Sequence, residues 1–312
     1  MENNVPKGRY APSPSGRMHL GNVFTALISW LSVRSHGGRW ILRIEDLDPQ
    51  RSKQEYALLI EDDLRWLGLD WDEGGMEDTG NSGPYRQSAR NDIYQSFLEK
   101  IYQMRLLYPC TCRRSDILAT QAPHQSDGRI VYAGTCRPDA TPPFPHFALQ
   151  GNTVRIWSPD ENMHFTDILC GEQNGNLAKD CGDFVLRRAD GAWAYQLAVV
   201  ADDGLMGITE VVRGNDLLLS TFQQLYLYRL LGMPAPQFAH VPLICNSDGR
   251  RLSKRDSDLS METLRKEYTA EQIIGRLAYL CGLTESDKPA RAEDLIRFFD
   301  WKKIKRQNKI IV

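Results

Sequence analysis

Hydrophobic positions along this chain follow two periods, and the places where one gives way to the other mark its elements. From Asn22 the run NVFTALISWLSVRS is apolar at helical spacing and is punctuated by Gly37 and Gly38, which predicts a buried helix. Arg39 to Asp46 (RWILRIED) is a short, nearly continuous apolar run, the pattern of a parallel strand buried on both faces. Ser52 and Glu55 have capping-box spacing ahead of a helix that puts Tyr56, Leu59, Ile60, Leu64 and Leu67 on one side. A further amphipathic helix is expected from about Asn91 to Leu107. Strand character returns at Phe184 to Arg188 and Ala192 to Val199, which flank Asp190-Gly191, a type I′ hairpin signal that places Tyr195 on the second arm. Ile208 to Val212 reads as a strand ending at Arg213. Ser220 and Gln223 cap a helix over Thr221–Leu231 that Gly232 and Pro234 end, and Phe238 to Ile244 leads into a basic loop. Ile273, Ile274, Leu277, Leu280 and Leu283 keep helical spacing near the end.

Both periods lapse between Pro109 and about Gly182, where Pro, Gly, Asp and Asn dominate, and this stretch is expected to be an inserted subdomain. Cys110-x-Cys112 and Tyr132-x-x-x-Cys136 supply three thiols and a phenol in two close pairs. A loop-rich unit with little core gains folding free energy from a structural metal, and three soft thiolates favour zinc. Tyrosine is an uncommon ligand because its pKa lies near ~10. His124 or water are alternatives for the fourth position, and three unrelated buried cysteines are the competing reading. Cys170, Cys181, Cys245 and Cys281 are scattered and read as core or incidental.

Composition narrows the setting. Seven cysteines, an odd number, argue against a disulfide framework, and no signal pattern or membrane-length apolar run is present, so a cytoplasmic protein without a membrane segment is expected. A formal net charge of −2 confines any nucleic-acid contact to local basic patches. One candidate is the tail, with Lys302, Lys303, Lys305, Arg306 and Lys309, which is either a solvated face or a phosphate contact. Nothing indicates an obligate protein partner.

The candidate chemistry begins at Arg9 to Asn22, RYAPSPSGRMHLGN, a strand end, a Pro/Ser/Gly loop and a helix start. The unpaired N–H groups of such a helix start suit an anion such as ATP phosphate, His19 can donate to the same phosphates, and Gly21 leaves room for the adenosine. Near the other end stands Arg250 to Arg255, RRLSKR, after a turn at Asp248-Gly249. Glu45, at the carboxyl end of the RWILRIED strand, can meet a cation such as an amino acid's ammonium, or else pair with a surface arginine.

Arg9-Tyr10-Ala11-Pro12-Ser13-Pro14-Ser15-Gly16 followed by Met18-His19-Leu20-Gly21 resembles the first signature of class I aminoacyl-tRNA synthetases, and Leu252-Ser253-Lys254 resembles their second, the mobile lysine loop. Arg43-Ile44-Glu45-Asp46 and Val212-Arg213-Gly214-Asn215-Asp216 narrow the likeness to the glutamyl branch. The short chain narrows it again, to the family of glutamyl-queuosine tRNA(Asp) synthetases, and the likeness covers nearly all of it.

The resemblance implies an α/β fold, a Rossmann-type doubly wound parallel sheet with an inserted zinc-bearing subdomain and a C-terminal helical segment, without an anticodon-binding domain. The halves of the catalytic domain fall at 1–108 and 183–245, the acceptor and zinc subdomain at 109–182, and the lysine loop with the helical segment at 246–312. It implies ATP, L-glutamate and queuosine-bearing tRNA(Asp) as partners, Mg²⁺ with ATP, and one structural zinc on Cys110, Cys112, Tyr132 and Cys136. His19 and Lys254 would be catalytic, and His19, Gly21, Asn22 and Lys254 would bind ATP. Arg9, Ala11, Ser13, Glu45, Tyr195 and Arg213 would bind glutamate: Arg9 and Tyr195 its side-chain carboxylate, Arg213 the other carboxylate, Ser13 and Glu45 its ammonium. The sequence departs from the family at Asn22, Arg251 and Arg255, where a histidine, a lysine and a serine are usual. Two rival readings are a truncated glutamyl-tRNA synthetase charging tRNA(Glu) and a catalytically silent paralogue that binds RNA or glutamate.

Overall fold

The computed structural model describes residues 5–113, 131–139, 144–247, 249–250, 252 and 259–312. Strand β1 (Lys7–Tyr10), helix α1 (Leu20–Ser35), β2 (Arg39–Leu42), α2 (Gln54–Trp66), β3 (Glu73–Gly74) and α3 (Asn91–Gln103) form the first half of an α/β unit. An antiparallel excursion follows: β4 (Leu107–Cys110), α4 (His146–Leu149), β5 (Thr153–Ile156), the hairpin β6 (Asn162–Asp167) and β7 (Gly171–Asn176), and β8 (Phe184–Arg187). The chain then returns through α5 (Tyr195–Leu205), β9 (Glu210–Gly214), α6 (Ser220–Leu231), β10 (Gln237–Val241) and β11 (Leu243–Cys245), and ends with α7 (Met261–Glu267), α8 (Ala270–Leu280) and β12 (Lys309–Ile311).

Five strands pair in the order β10-β9-β1-β2-β3, every pair parallel. Strand alternation assigns their side chains to two cores. Trp40, Leu42, Val212 and Ala239 enter one with α1, α2 and α8, while Ile41, Val211 and Phe238 enter the other with α3, α5 and α6. From β1 the chain first builds outward through β2 and β3, and later on the other side through β9 and β10. The crevice beyond the carboxyl ends of β1 and β9 is therefore the switch point where such sheets bind ligands.

Several boundaries differ from the sequence expectation. The turn at Asp190-Gly191 forms, with Gly191 at φ 87° and Arg188 N–H on the Ala192 carbonyl at 2.8 Å, but the second arm stops at Trp193. Tyr195 instead opens α5, whose Leu197 to Ala201 are all buried, so a helix enclosed on every side replaces the strand. β8 pairs with β5 in the antiparallel sheet, and the parallel sheet resumes only at β9. Ser52 does not cap α2. Asp48–Lys53 is wound into a turn fastened by Lys53 N–H to the Pro14 carbonyl, and the helix starts beyond it. Ser220 likewise does not cap α6, because a 3₁₀ turn over Asn215–Leu217 runs into it through helical Leu218 and Leu219. The helix expected up to Leu107 ends at Gln103, and the tail closes as strand β12 on β11. No helix among the described residues is long and apolar enough to cross a membrane.

Arg9 and Arg43 share the sheet face of Ile41, which faces α5. There Asp203 accepts from Arg43 Nη1 at 2.6 Å and Arg9 Nε at 3.3 Å, and Glu45 accepts from Arg43 Nη2 at 3.1 Å. Asp202 accepts from Arg90 Nε at 2.6 Å, the Tyr94 hydroxyl at 2.9 Å and Gln87 at 2.8 Å. All six charged groups are buried, three arginines against three carboxylates. Removing one carboxylate strands a guanidinium without water, so Asp203→Ala is expected to cost about 3–5 kcal/mol of stability, read from the midpoint of guanidinium unfolding.

Candidate active site

The switch-point crevice is a cleft of about 430 Å³. Ala11, Ser13, His19, Gly21, Asn22, Glu45, Tyr195 and Arg213 all line it, although Tyr195 and Arg213 lie far along the chain from the rest. The loop after β1 is sewn to the segment after β2, with Arg43 N–H on the Tyr10 carbonyl at 3.0 Å and Glu45 N–H on the Pro12 carbonyl at 3.0 Å. This pairing sets Glu45 across from Ser13.

One wall is the start of α1. His19 is its N-cap: Nδ1 accepts from Gly21 N–H at 3.1 Å, and Asn22 Oδ1 accepts from His19 N–H at 3.1 Å, a reciprocal capping box. With Nδ1 an acceptor, the imidazole proton sits on Nε2, which makes that nitrogen a donor. A Cβ at residue 21 would come 3.1 Å from the His19 ring, so glycine leaves room for the imidazole. Asn22, the departure from the family pattern, has its oxygen committed to the cap. Leu243 and Ile244 complete this end.

The other end is charged. Arg213 reaches it from β9, with Nη1 on Gln224 Oε1 at 2.7 Å and Nη2 on Thr221 Oγ1 at 2.8 Å. Burial raises the Tyr195 hydroxyl pKa against the pull of Arg213. Burial also raises the Glu45 carboxyl, opposed by Arg43 and Arg9. Asp203 goes the other way: burial would raise it, but the Arg43 and Arg9 guanidiniums hold it below the usual carboxylate range. Arg9 does not line the cleft. It lies 4% exposed under the floor, bonded to Asp203 and to the Val212 carbonyl. Its guanidinium lies within electrostatic reach of Tyr195, Glu45 and Arg213. Ser253, Lys254, Arg251 and Arg255 lie outside the described residues, as does His124.

The sulfurs of Cys110, Cys112 and Cys136 lie within 4.8 Å of one another, and the Tyr132 hydroxyl is 3.5 Å from Cys110 Sγ and 3.7 Å from Cys112 Sγ. Burial raises the Cys136 thiol, but a backbone hydrogen bond from Thr111 and the Tyr132 hydroxyl outweigh it and hold the pKa at about 6. Burial pushes the Tyr132 phenol well up, and its oxygen already accepts from Cys136 N–H at 2.6 Å. The cluster can hold a metal ion, and three thiols with a phenol in tetrahedral reach fit zinc chemically. It stands apart from the cleft.

The sequence reading gave no role to Asp203, or to Asp167 and His240 behind Arg213. The signals were an Asp-Asp pair inside the apolar run of α5 and a lone histidine in the apolar run of β10.

Residues 7–311 match the family described as "tRNA synthetases class I (E and Q), catalytic domain". A relative from Symbiobacterium thermophilum named glutamyl-Q tRNA(Asp) synthetase is 47% identical over 306 residues, covering 96% of this chain and 94% of its own. One of the same name from Geobacter sulfurreducens is 44% identical over 280 residues, covering 89% and 84%. A glutamate tRNA ligase from Elizabethkingia meningosepticum, solved with its amino acid, superposes with a TM-score of 0.82 at 30% identity, over 98% of this chain and 67% of that one.

Proposed function

The chain belongs to the glutamyl and glutaminyl branch of the class I tRNA synthetases, and from that premise we propose that it activates L-glutamate with ATP and transfers it to queuosine at the wobble position of tRNA(Asp). The observation that carries this reading is the cleft itself, where a helix start suited to phosphate faces a carboxylate and an arginine suited to a zwitterion.

Glutamate brings an ammonium and two carboxylates. Glu45, with Ser13, takes the ammonium. Tyr195 at the start of α5, backed by the charge of Arg9, addresses the side-chain carboxylate, and Arg213 takes the other. ATP lies along the start of α1, where His19 Nε2–H donates to its phosphates and Gly21 and Asn22 maintain the cap that aims it. Lys254 follows in the lysine loop and neutralises the departing pyrophosphate. Mg²⁺ bound with ATP supplies further neutralisation of the triphosphate.

Held in this way, the glutamate α-carboxylate attacks the α-phosphorus, the bond to the β-phosphate oxygen breaks and pyrophosphate leaves. A hydroxyl of the queuosine cyclopentenediol then attacks the acyl carbon and AMP departs. No side chain forms a covalent bond, so orientation and charge stabilisation carry the catalysis.

The deciding experiment is glutamate-dependent ATP–pyrophosphate exchange without tRNA, followed by transfer of labelled glutamate to tRNA(Asp) with and without queuosine and to tRNA(Glu). Exchange without tRNA and label only on queuosine-bearing tRNA(Asp) are expected. Label on tRNA(Glu) would replace this reading with the truncated glutamyl-tRNA synthetase.

Glu45 gives a pH signature. Its carboxyl titrates above the usual value, so acidification through that raised pKa removes the charge facing the ammonium, and the KM for glutamate should climb before an ordinary carboxylate would protonate. Glu45→Gln should raise that KM by roughly tenfold or more at neutral pH, the ~1.5–3 kcal/mol of a charge-assisted hydrogen bond. The variant should also flatten the acid limb, leaving only the substrate's own titration.

Zinc on Cys110, Cys112, Tyr132 and Cys136 is expected at one ion per chain by elemental analysis. Cys136→Ser should lower that content and loosen the subdomain to proteolysis while exchange persists, because the cluster stands apart from the cleft.

A further inference from the structure

Arg213 is presented to the cleft by side chains behind it. β9 and β10 run parallel with Arg213 opposite His240, so both project from the same sheet face, and Arg213 Nε donates to His240 Nε2 at 3.0 Å. A guanidinium has only donors, so Nε2 must offer its lone pair and the imidazole proton must sit on Nδ1. That nitrogen faces Asp167 Oδ2 at 2.6 Å. The second oxygen, Oδ1, accepts backbone N–H groups from Leu169 at 3.0 Å, Cys170 at 2.8 Å and His240 at 3.2 Å. Asp167 and His240 are each 1% exposed. Asp167 ends strand β6, in the hairpin of the antiparallel excursion, and is remote in sequence from both partners.

We propose that Asp167 and His240 are positioning residues for glutamate recognition, a buried pair that fixes the imidazole tautomer and thereby aims the Arg213 guanidinium at a carboxylate of the substrate. The inference rests on the reading of Arg213 as a glutamate ligand. Backbone N–H groups anchor the carboxylate, the carboxylate holds the Nδ1 proton, and Nε2 is left as an acceptor that holds Arg213 Nε. Gln224 and Thr221 fix the guanidinium's remaining rotation. The hairpin is thereby part of the amino-acid site without touching the cleft.

Asp167→Asn is the sharpest test. Three backbone N–H groups require the amide oxygen at the Oδ1 position, so the amide nitrogen must face His240 Nδ1. That switches the proton to Nε2 and sets two donors against each other at Arg213. In exchange assays without tRNA, Asp167→Asn and His240→Leu are expected to raise the KM for glutamate at least tenfold with the KM for ATP within twofold of wild type. His240→Gln, whose Oε1 can replace Nε2 as acceptor, should recover part of the loss. Histidine-selective ¹⁵N labelling gives a readout free of activity, tractable with six histidines. The wild type should show His240 protonated on Nδ1 and Asp167→Asn should show it on Nε2. An Nε2 proton in the wild type overturns the proposal. So does a glutamate KM unchanged in both variants while Arg213→Lys raises it, or an equal rise in both KM values. If Arg213→Lys itself leaves the glutamate KM unchanged, the reading of Arg213 as a ligand fails instead.

Discussion

The structure depends on keeping charges out of water beneath a polar cleft. Arg9, Arg43 and Arg90 lie under its floor against Glu45, Asp202 and Asp203, all buried. Each carries a desolvation penalty of several kcal/mol that only close, hydrogen-bonded pairing offsets. The pairing joins β1, the segment after β2, the start of α3 and the end of α5, so the two halves of the parallel sheet are locked where the cleft opens. One carboxylate of the set, Glu45, is also the group at the cleft surface. Its orientation follows from Arg43, and its raised pKa from the same burial. Stability and the charge presented at the cleft therefore share one electrostatic unit.

The cleft is assembled from residues in contact and residues that support them. Arg43 stands behind Glu45 as His240 stands behind Arg213, and Asn22 stands behind His19 across the capping box. Arg43 and His240 bond the side chains they support, whereas Asn22 bonds the His19 backbone N–H and the imidazole itself is held by Gly21 N–H. Functional groups with several rotamers are thus held singly, which lowers the entropy lost when a substrate is bound. The antiparallel excursion contributes to this arrangement through Asp167, and elsewhere brings Cys110 and Cys112 together with Cys136.

Much of this architecture is legible in the sequence. Residues 9–22 carry a strand, a loop and a helix start and the run 39–46 a strand buried on both faces, because each rests on local spacing, whereas the grouping of Cys110, Cys112, Tyr132 and Cys136 rests on the family resemblance. The helix over 270–280 followed from Ile273, Ile274 and Leu277, and it carries a Thr269 capping box. Tyr195 lies in a helix and not on the expected strand, because a hairpin signal at Asp190-Gly191 says nothing about how far the second arm extends. The apolar run after it fits a buried helix as well as a strand, and only packing between α3 and α6 decides.

Short-range patterns of period, turn chemistry and motif carry the first helix, the strand over 39–46 and the motifs at the cleft. Tertiary structure alone decided which charges meet. Arg9 with Asp203, Arg43 with Asp203 and His240 with Asp167 are separated by 194, 160 and 73 residues, and no local pattern encodes those pairings. Their energies arise from burial, which exists only once the sheet and its two helical layers have closed over them. Arg9 shows the same division: the strand parity that turns it toward α5 is local, but the aspartate it meets there is not.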